Sequence, residues 1–419
     1  MIGIVLAAGS GTRFGKKSKL FVDLCGQRVL DYPINLCKDL GIKNINLVVK
    51  KGLEALDMLD VSQCNIYVQS DKKGTGAAVQ AVISESINDD ILILLGDCPL
   101  VDKITIQKAL NKLEDNVIVI GGVQSESSNN HSYGRIKLEH NNVMKIEEAT
   151  VSCDNTKFRN AGWMLCKGKY LHDFLRQIPV IHGEYYLTEC VRIANDMGFK
   201  VGMVESESDI GINTRNDYVN VVQILQNKFR MNAIDKGALM LDPTSVYFSA
   251  NTVIEHEVQI DPYVVFKKDV ILKSGSTIKS FSHIESSVVG ANSVIGPFAN
   301  IRSGTYMDEN VEIGAFVETK NSYIGSNTKA KHLSYIGNAD IGENVNIGAG
   351  SVFCNYDGLK KNKSIIGDNS FLGANTSYVA PIDIGSNVKV GAGSVVTKNV
   401  SSKCLVVARA DQKEYKRKV

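Results

Sequence analysis

Hydrophobic and polar positions follow two different rhythms along this chain. Over residues 254–397 an apolar residue recurs at every sixth position: Ile254, Ile260, Phe266, Leu272, Ile278 and Ile284. After one five-residue step through Val289 the series resumes at Ile295, Ile301, Met307 and Ile313, and Ile341 with Ile347, Ile366 with Leu372, and Ile384 with Val390 keep the step. A small or β-branched residue stands four places after several of them, as at Val258, Val264, Val270, Ser276, Ser282 and Val288. A helix repeats near 3.6 and a strand near 2, so a step of six is neither; it is the hexapeptide pattern of a parallel β-helix. Each repeat then makes one short strand and a corner, and no coil buries its apolar row until the next is stacked on it. Three repeats to a coil predict roughly eight coils. Glycines that follow the apolar residue, as in Ile313-Gly314 and Ile347-Gly348, are expected to ease corners that need positive φ. Two segments break the count, Thr328–Tyr335 and Asn355–Ser364, and both are expected to emerge as loops where a site is built.

The first half has the other rhythm. Ile2–Leu6 is an unbroken β-branched and aliphatic run, expected of a strand buried on both faces. Ile45–Val49, Ile66–Val68 and Ile91–Leu95 read as further strands, Leu30–Leu40 has helical spacing, and Gly74-Thr75-Gly76 opens a helix of small residues. Strands alternating with helices predict a mainly parallel, doubly wound sheet with ligands at the carboxyl ends of its strands. Gly9, Gln69 and Asp97 each sit just past such an end. The small residues Ala7-Ala8-Gly9-Ser10-Gly11-Thr12 let backbone N–H groups approach an anion, and Arg13 adds charge. The carboxylate of Asp97 suits a metal that bridges nucleotide phosphates.

Between the two rhythms, Asn213-Thr214 followed by Asp217 reads as a helix cap. Tyr218, Val221, Val222, Leu225 and Phe229 continue at helical spacing, and Gly237 and Asp242-Pro243 end the run. This places a first domain at 1–215, a linker helix at 216–236 and a second domain at 237–419. The 419 residues carry a formal charge of +2, which gives no electrostatic case for nucleic acid or membrane as main partner. Nine cysteines without metal-ligand spacing suit reduced thiols of a cytoplasmic protein. The longest apolar runs are too short to span a bilayer, and Met1–Ala8 lacks the pattern of a signal peptide.

Leu6-Ala7-Ala8-Gly9-Ser10-Gly11-Thr12-Arg13 resembles the signature of the sugar-nucleotidyltransferases. Followed by a hexapeptide solenoid, nearly the whole chain resembles the bacterial bifunctional family of N-acetylglucosamine-1-phosphate uridyltransferases and glucosamine-1-phosphate acetyltransferases. The resemblance implies an α/β nucleotidyltransferase domain and a left-handed β-helix, working as a homotrimer on glucosamine 1-phosphate, acetyl-CoA and UTP with Mg²⁺. By it, Leu6, Ala7, Ala8 and Gly9 cradle UTP, and Arg13 and Lys19 neutralise the triphosphate. Gln69, Gly74 and Thr75 read the uracil; Tyr133, Gly134, Arg135, Glu148, Asn160 and Thr188 hold the sugar; Asp97 and Asn213 bind Mg²⁺. In the second half His332 is the general base, a role that suits an imidazole, and Glu318 orients it. Arg302, Lys320, Tyr335, Asn346 and Lys363 contact glucosamine 1-phosphate. Ala349, Asn355, Tyr356, Ala374, Ala392 and Arg409 contact acetyl-CoA.

Three departures stand out. Ser18 replaces a proline the family usually has, and the loop from Arg13 to Lys19 is a residue short, so Lys16 or Lys17 is an alternative to Lys19. Ala374 stands where serine is common. Two other readings stay open on the sequence: a nucleotidyltransferase for another sugar with a regulatory repeat domain, and a trimerisation scaffold whose sites have decayed.

Overall fold

The computed structural model describes the chain except residues 10–13, 15–17, 53–63, 84, 86, 125–133, 141, 149–156, 207–210 and 418–419. Two compact units, 1–223 and 224–419, divide between Gln223 and Ile224, inside the helix Arg215–Asp235.

In the first unit the unbroken apolar runs become the centre of one sheet. Its strands lie in the order Val201–Glu205, Ile118–Gln124, Phe158–Lys167, Asp90–Leu95, Ile2–Ala7, Asn44–Val49 and Cys64–Val68. Ile2–Ala7 pairs in parallel with both Asn44–Val49 and Asp90–Leu95, while Phe158–Lys167 runs antiparallel to both its neighbours. Ile4, Val5, Leu47, Ile91 and Leu92 are sealed from solvent on the two faces, as a doubly covered strand requires. The carboxyl ends of the parallel strands therefore deliver Ala8-Gly9, Lys50-Lys51, Gln69 and Gly96-Asp97 to one edge of the sheet.

In the second unit three parallel sheets of ten, eight and eight strands stack as a left-handed β-helix. Residues facing each other across one coil are 18 apart, as in Gln259 with Thr277, or 17 apart, as in Thr277 with Val294. Every apolar position of the six-residue series is buried, from Ile254 to Val390. After the five-residue step the second inward position moves back by one: Ser287 is buried and Val288 faces outward. The buried rings Phe248 and Phe266 stack at 5.2 Å between centroids, and Phe353 and Tyr378 at 5.0 Å.

Two expectations need correction. Thr328–Tyr335 is no insertion: Lys329–His332 is a strand in register with Glu312–Ala315, and Ala330 fills the core position. A coil of 17 residues with alanine in place of a larger apolar side chain hides the repeat without breaking it. Asn355–Ser364 does leave the coil, since the register jumps 25 residues from Asn346 to Phe371. The glycines after the apolar residue also have another cause. Gly314, Gly348 and Gly373 lack positive φ. A Cβ on Gly314 would instead lie 1.9 Å from the Lys331 carbonyl oxygen, and one on Gly348 or Gly373 2.5 Å from a backbone nitrogen of the next coil. Gly296, at φ +90°, is an exception. Asparagine is the commonest non-glycine residue at the left-handed corners, as in the column Asn292, Asn310, Asn327, Asn344, Asn369 and Asn387.

Candidate active sites

Two cavities adjoin at the carboxyl edge of the first unit's sheet. One, of about 700 Å³, is lined by Leu6, Ala7, Ala8, Gly9, Lys19, Gln69, Gly74, Thr75 and Asp97. The other, of about 300 Å³, is lined by Thr75, Asp97, Gly134, Glu148, Asn160, Thr188 and Asn213. Asp97, Thr75, Leu95 and Tyr186 wall both. The described residues expected at the nucleotide thus line one cavity, and Gly134, Glu148, Asn160 and Thr188 of the sugar set line the other, while Arg135 does not. Arg13, Tyr133, Lys16 and Lys17 lie outside the described residues. A Cβ added to Gly9 would meet no atom of the described residues within 4 Å.

Local bonds fix these side chains. The Asp97 carbonyl oxygen accepts from Ile212 N at 2.9 Å, which sets the 97 and 213 loops side by side. The Asp217 carboxylate accepts from Asn213 N at 3.0 Å and Thr214 N at 2.7 Å, so the expected helix cap also holds Asn213. Gly74, at φ +103°, lies under Tyr185, whose carbonyl oxygen would be 2.3 Å from a Cβ there. Leu187 N donates to Thr75 Oγ1 at 3.0 Å, and Thr188 Oγ1 to Glu148 Oε1 at 2.6 Å. Burial raises the Glu148 carboxyl above its ordinary pKa, against the Thr188 hydrogen bond, which lowers it. The Gln69 amide donates to the Lys72 and Gly74 carbonyl oxygens, which fixes the side chain at the cavity wall. Lys50, Lys51, Lys72 and Lys73 also line the larger cavity and were not singled out in the sequence. A run of lysines just past a predicted strand end was the available signal.

The ammonium of Lys19 bonds both expected metal ligands: it donates to Asp97 Oδ2 and, at 2.9 Å, to Asn213 Oδ1. One carboxylate and one amide oxygen therefore already converge on a single cation. Such a sparse set of hard oxygens suits Mg²⁺, which keeps several waters and takes its remaining ligands from phosphate.

On the β-helix, His332 is exposed and registers with Ala315 one coil back. Counting on from the pairs Lys329–Asn346, Asn346–Phe371 and Phe371–Lys389, the same corner position holds Ala349, Ala374 and Ala392 on successive coils. Four alanines and one histidine thus form a single column, and Arg409 Nη1 donates to the Ala392 carbonyl oxygen at 2.6 Å. The flanking Lys329 and Lys331 are both paired with Glu312, at 2.8 and 2.7 Å.

Three expected pairings differ. The Glu318 oxygens accept from Arg302 Nη1 at 2.7 Å and Asn300 Nδ2 at 3.2 Å, and its partner here is the guanidinium, not His332. Lys363 is paired with Asp340, whereas Lys361 approaches Lys320. Lys361 and then Arg302 hold the Lys320 ammonium below its ordinary pKa, so the clustered cations are Arg302, Lys320 and Lys361. Asn355 is buried, and its amide donates to Asn338 Oδ1 at 2.7 Å and the Tyr335 hydroxyl at 3.4 Å. Its NH₂ is spent inside the fold, while Tyr356 is exposed.

A nucleotide-sized cleft at a sheet edge, followed by a repeat solenoid with an exposed histidine, defines a two-domain transferase. Residues 3–139 match the family model described as the MobA-like NTP transferase domain, and residues 364–398 that of the hexapeptide repeat of succinyl-transferase. The bifunctional protein GlmU of Wolbachia pipientis wMel is 36% identical over 98% of this chain and 97% of its own length. Those of Bartonella bacilliformis and Anaplasma marginale (strain Florida) are 35% and 34% identical, over 98% and 99% of this chain and 94% and 99% of theirs. The chain belongs to the GlmU family, bifunctional enzymes that combine an acetyltransferase with a uridyltransferase.

Proposed function

We propose that this chain makes UDP-N-acetylglucosamine in two steps, acetylating glucosamine 1-phosphate in residues 237–419 and coupling the product to UTP in residues 1–215. What carries this reading is the pair of adjoining cavities that meet at Asp97, one lined by the nucleotide set and the other by Gly134, Glu148, Asn160 and Thr188 of the sugar set.

In uridylyl transfer a phosphate oxygen of N-acetylglucosamine 1-phosphate attacks the α-phosphorus of UTP. The bond to the β-phosphate breaks, and pyrophosphate leaves. Backbone N–H groups at Ala8 and Gly9 face the triphosphate, and Glu148, Asn160 and Thr188 fix the sugar hydroxyls. Asp97 and Asn213 are the residues that would hold Mg²⁺, which supplies charge neutralisation at the phosphates. No covalent intermediate is needed; positioning and electrostatics suffice.

In acetyl transfer His332 takes a proton from the sugar ammonium. The free amine attacks the thioester carbonyl of acetyl-CoA, a tetrahedral oxyanion forms, and the CoA thiol leaves. The alanine column gives an extended pantetheine arm a narrow track ending at the imidazole. Arg302, Lys320 and Lys361 would bind the sugar phosphate, with Tyr335 and Asn346 beside them.

We place the protein in the cytoplasm as a homotrimer. Among the described residues no helix is long and apolar enough to cross a membrane. The test is to incubate the purified chain with glucosamine 1-phosphate, acetyl-CoA, UTP and Mg²⁺ and identify the products by mass. Asp97→Ala is expected to stop at N-acetylglucosamine 1-phosphate, and His332→Ala to couple supplied N-acetylglucosamine 1-phosphate but not make it. Equal product from wild type and both variants overturns the reading.

A further inference from the structure

Lys19 is a charged side chain only 7% exposed, and its ammonium has two partners among the described residues, Asp97 Oδ2 and Asn213 Oδ1. These are the two oxygens given above to a divalent cation. A buried ammonium without partners is strongly disfavoured, so whatever displaces it must leave it something to bind. A free hydrated cation offers nothing: it would take both oxygens and face the stranded ammonium with charge of the same sign. A cation that arrives on a nucleotide differs, because it brings phosphate oxygens. Lys19 and Asp97 line the same cavity as Ala8 and Gly9, so those oxygens would lie within reach of the released side chain.

We propose that Lys19 is a tethered counter-ion that occupies the divalent-cation position until the nucleotide arrives, so that metal and nucleotide enter together and free metal is kept out. This rests on the reading that Asp97 and Asn213 hold the metal. Lys19 is on this account a positioning residue: it keeps the two ligand oxygens convergent in the free protein, then exchanges them for the triphosphate. Lys50, Lys51, Lys72 and Lys73, all exposed on the same cavity, raise the positive potential there and further disfavour a bare cation.

The probe is Mn²⁺ with the full-length protein, with and without UTP and with no sugar acceptor present. Water-proton relaxation enhancement separates protein-bound Mn²⁺ from Mn²⁺–UTP in solution. Wild type is expected to show enhancement only when UTP is present. Lys19→Met, which removes the charge but keeps much of the bulk, is expected to bind Mn²⁺ without nucleotide at least roughly tenfold more tightly than wild type. Lys19→Arg is expected to behave as wild type, and Lys19→Met combined with Asp97→Asn to lose the gain. In melting experiments Mn²⁺ alone should stabilise Lys19→Met, and wild type only with UTP. If wild type with UTP binds Mn²⁺ but Lys19→Met without UTP binds no better than wild type, the counter-ion role falls while the metal site stands. If no form binds Mn²⁺ even with UTP, both fall. Wild type binding Mn²⁺ equally well with and without UTP overturns the proposal without recourse to a variant.

Discussion

Glu148 shows how one residue links site and stability. Its carboxyl is raised above the ordinary value, chiefly by burial, so the folded protein holds that proton more tightly than the unfolded chain. The contribution to stability is therefore full below the ordinary carboxylate range and is lost as pH rises through the folded pKa. Glu148→Gln keeps an acceptor for Thr188 and removes the buried charge. Its melting temperature is expected to match wild type in acid and to exceed it at neutral pH; a lower value at neutral pH would contradict burial as the cause. Lys361 and Lys363 make a second residue-scale test. Lys363 already has Asp340, while Lys361 crowds Lys320 and has no acidic partner among the described residues. Lys361→Ala is expected to raise KM for glucosamine 1-phosphate by roughly tenfold, as loss of one charge-assisted phosphate contact implies, and Lys363→Ala by far less. Initial rates at saturating acetyl-CoA check both. The resemblance pointed to Lys363 and not to Lys361; both lie in the one loop that leaves the repeat, and only the folded loop shows that Lys361 approaches Lys320 while Lys363 turns to Asp340.

At the scale of the strand and its corner, much was legible. The six-residue series named the core of the β-helix down to Val390, and the strand runs Ile2–Leu6 and Ile91–Leu95 fell within a residue of their observed ends. Periodicity encodes which side chains turn inward, because burial is what it records. It does not encode what touches across coils. The 329–332 strand was missed because alanine, small enough for a shortened coil, carries no hydrophobic signal. The Lys19 contacts were illegible for a different reason: they span 78 and 194 residues of sequence. The two kinds of corner residue can be told apart by substitution. Gly314→Ala drives a Cβ into the Lys331 carbonyl next to His332. It is expected to cost on the order of 1–3 kcal/mol, as overpacking does, and to lower acetyl transfer with it. Asn344, at φ +56°, answers to conformation instead. Asn344→Ala is expected to cost about 1–2 kcal/mol and Asn344→Gly clearly less. Thermal unfolding of the three variants distinguishes crowding from backbone strain; equal losses for Asn344→Ala and Asn344→Gly would refute the conformational cause.

For the whole molecule, one corner of the β-helix argues for company. Tyr263, Phe281, Phe298, Phe316 and Leu333 occupy it on successive coils, all with positive φ and all 45–62% exposed. The four rings stack at 5.0–5.2 Å between centroids. Large side chains resist this backbone conformation, and an asparagine serves at a neighbouring corner of the same coils. A strained and water-exposed aromatic stripe is doubly unfavourable in an isolated chain, and covering it removes the second cost. A second and third copy of the chain are the occupants that the proposed homotrimer would supply, and the stripe ends at Leu333, the residue after His332. Burying it would therefore bring a neighbouring surface to the imidazole and add the wall that a site on one exposed face lacks. Phe298→Ser with Phe316→Ser is expected to turn a trimer into monomers by sedimentation velocity, with acetyl transfer falling and uridylyl transfer kept, since the cavities of residues 1–215 contain no residue of the stripe. A double variant that still sediments as a trimer would exclude this corner as the interface, and a monomer with undiminished acetyl transfer would show that His332 needs no second wall.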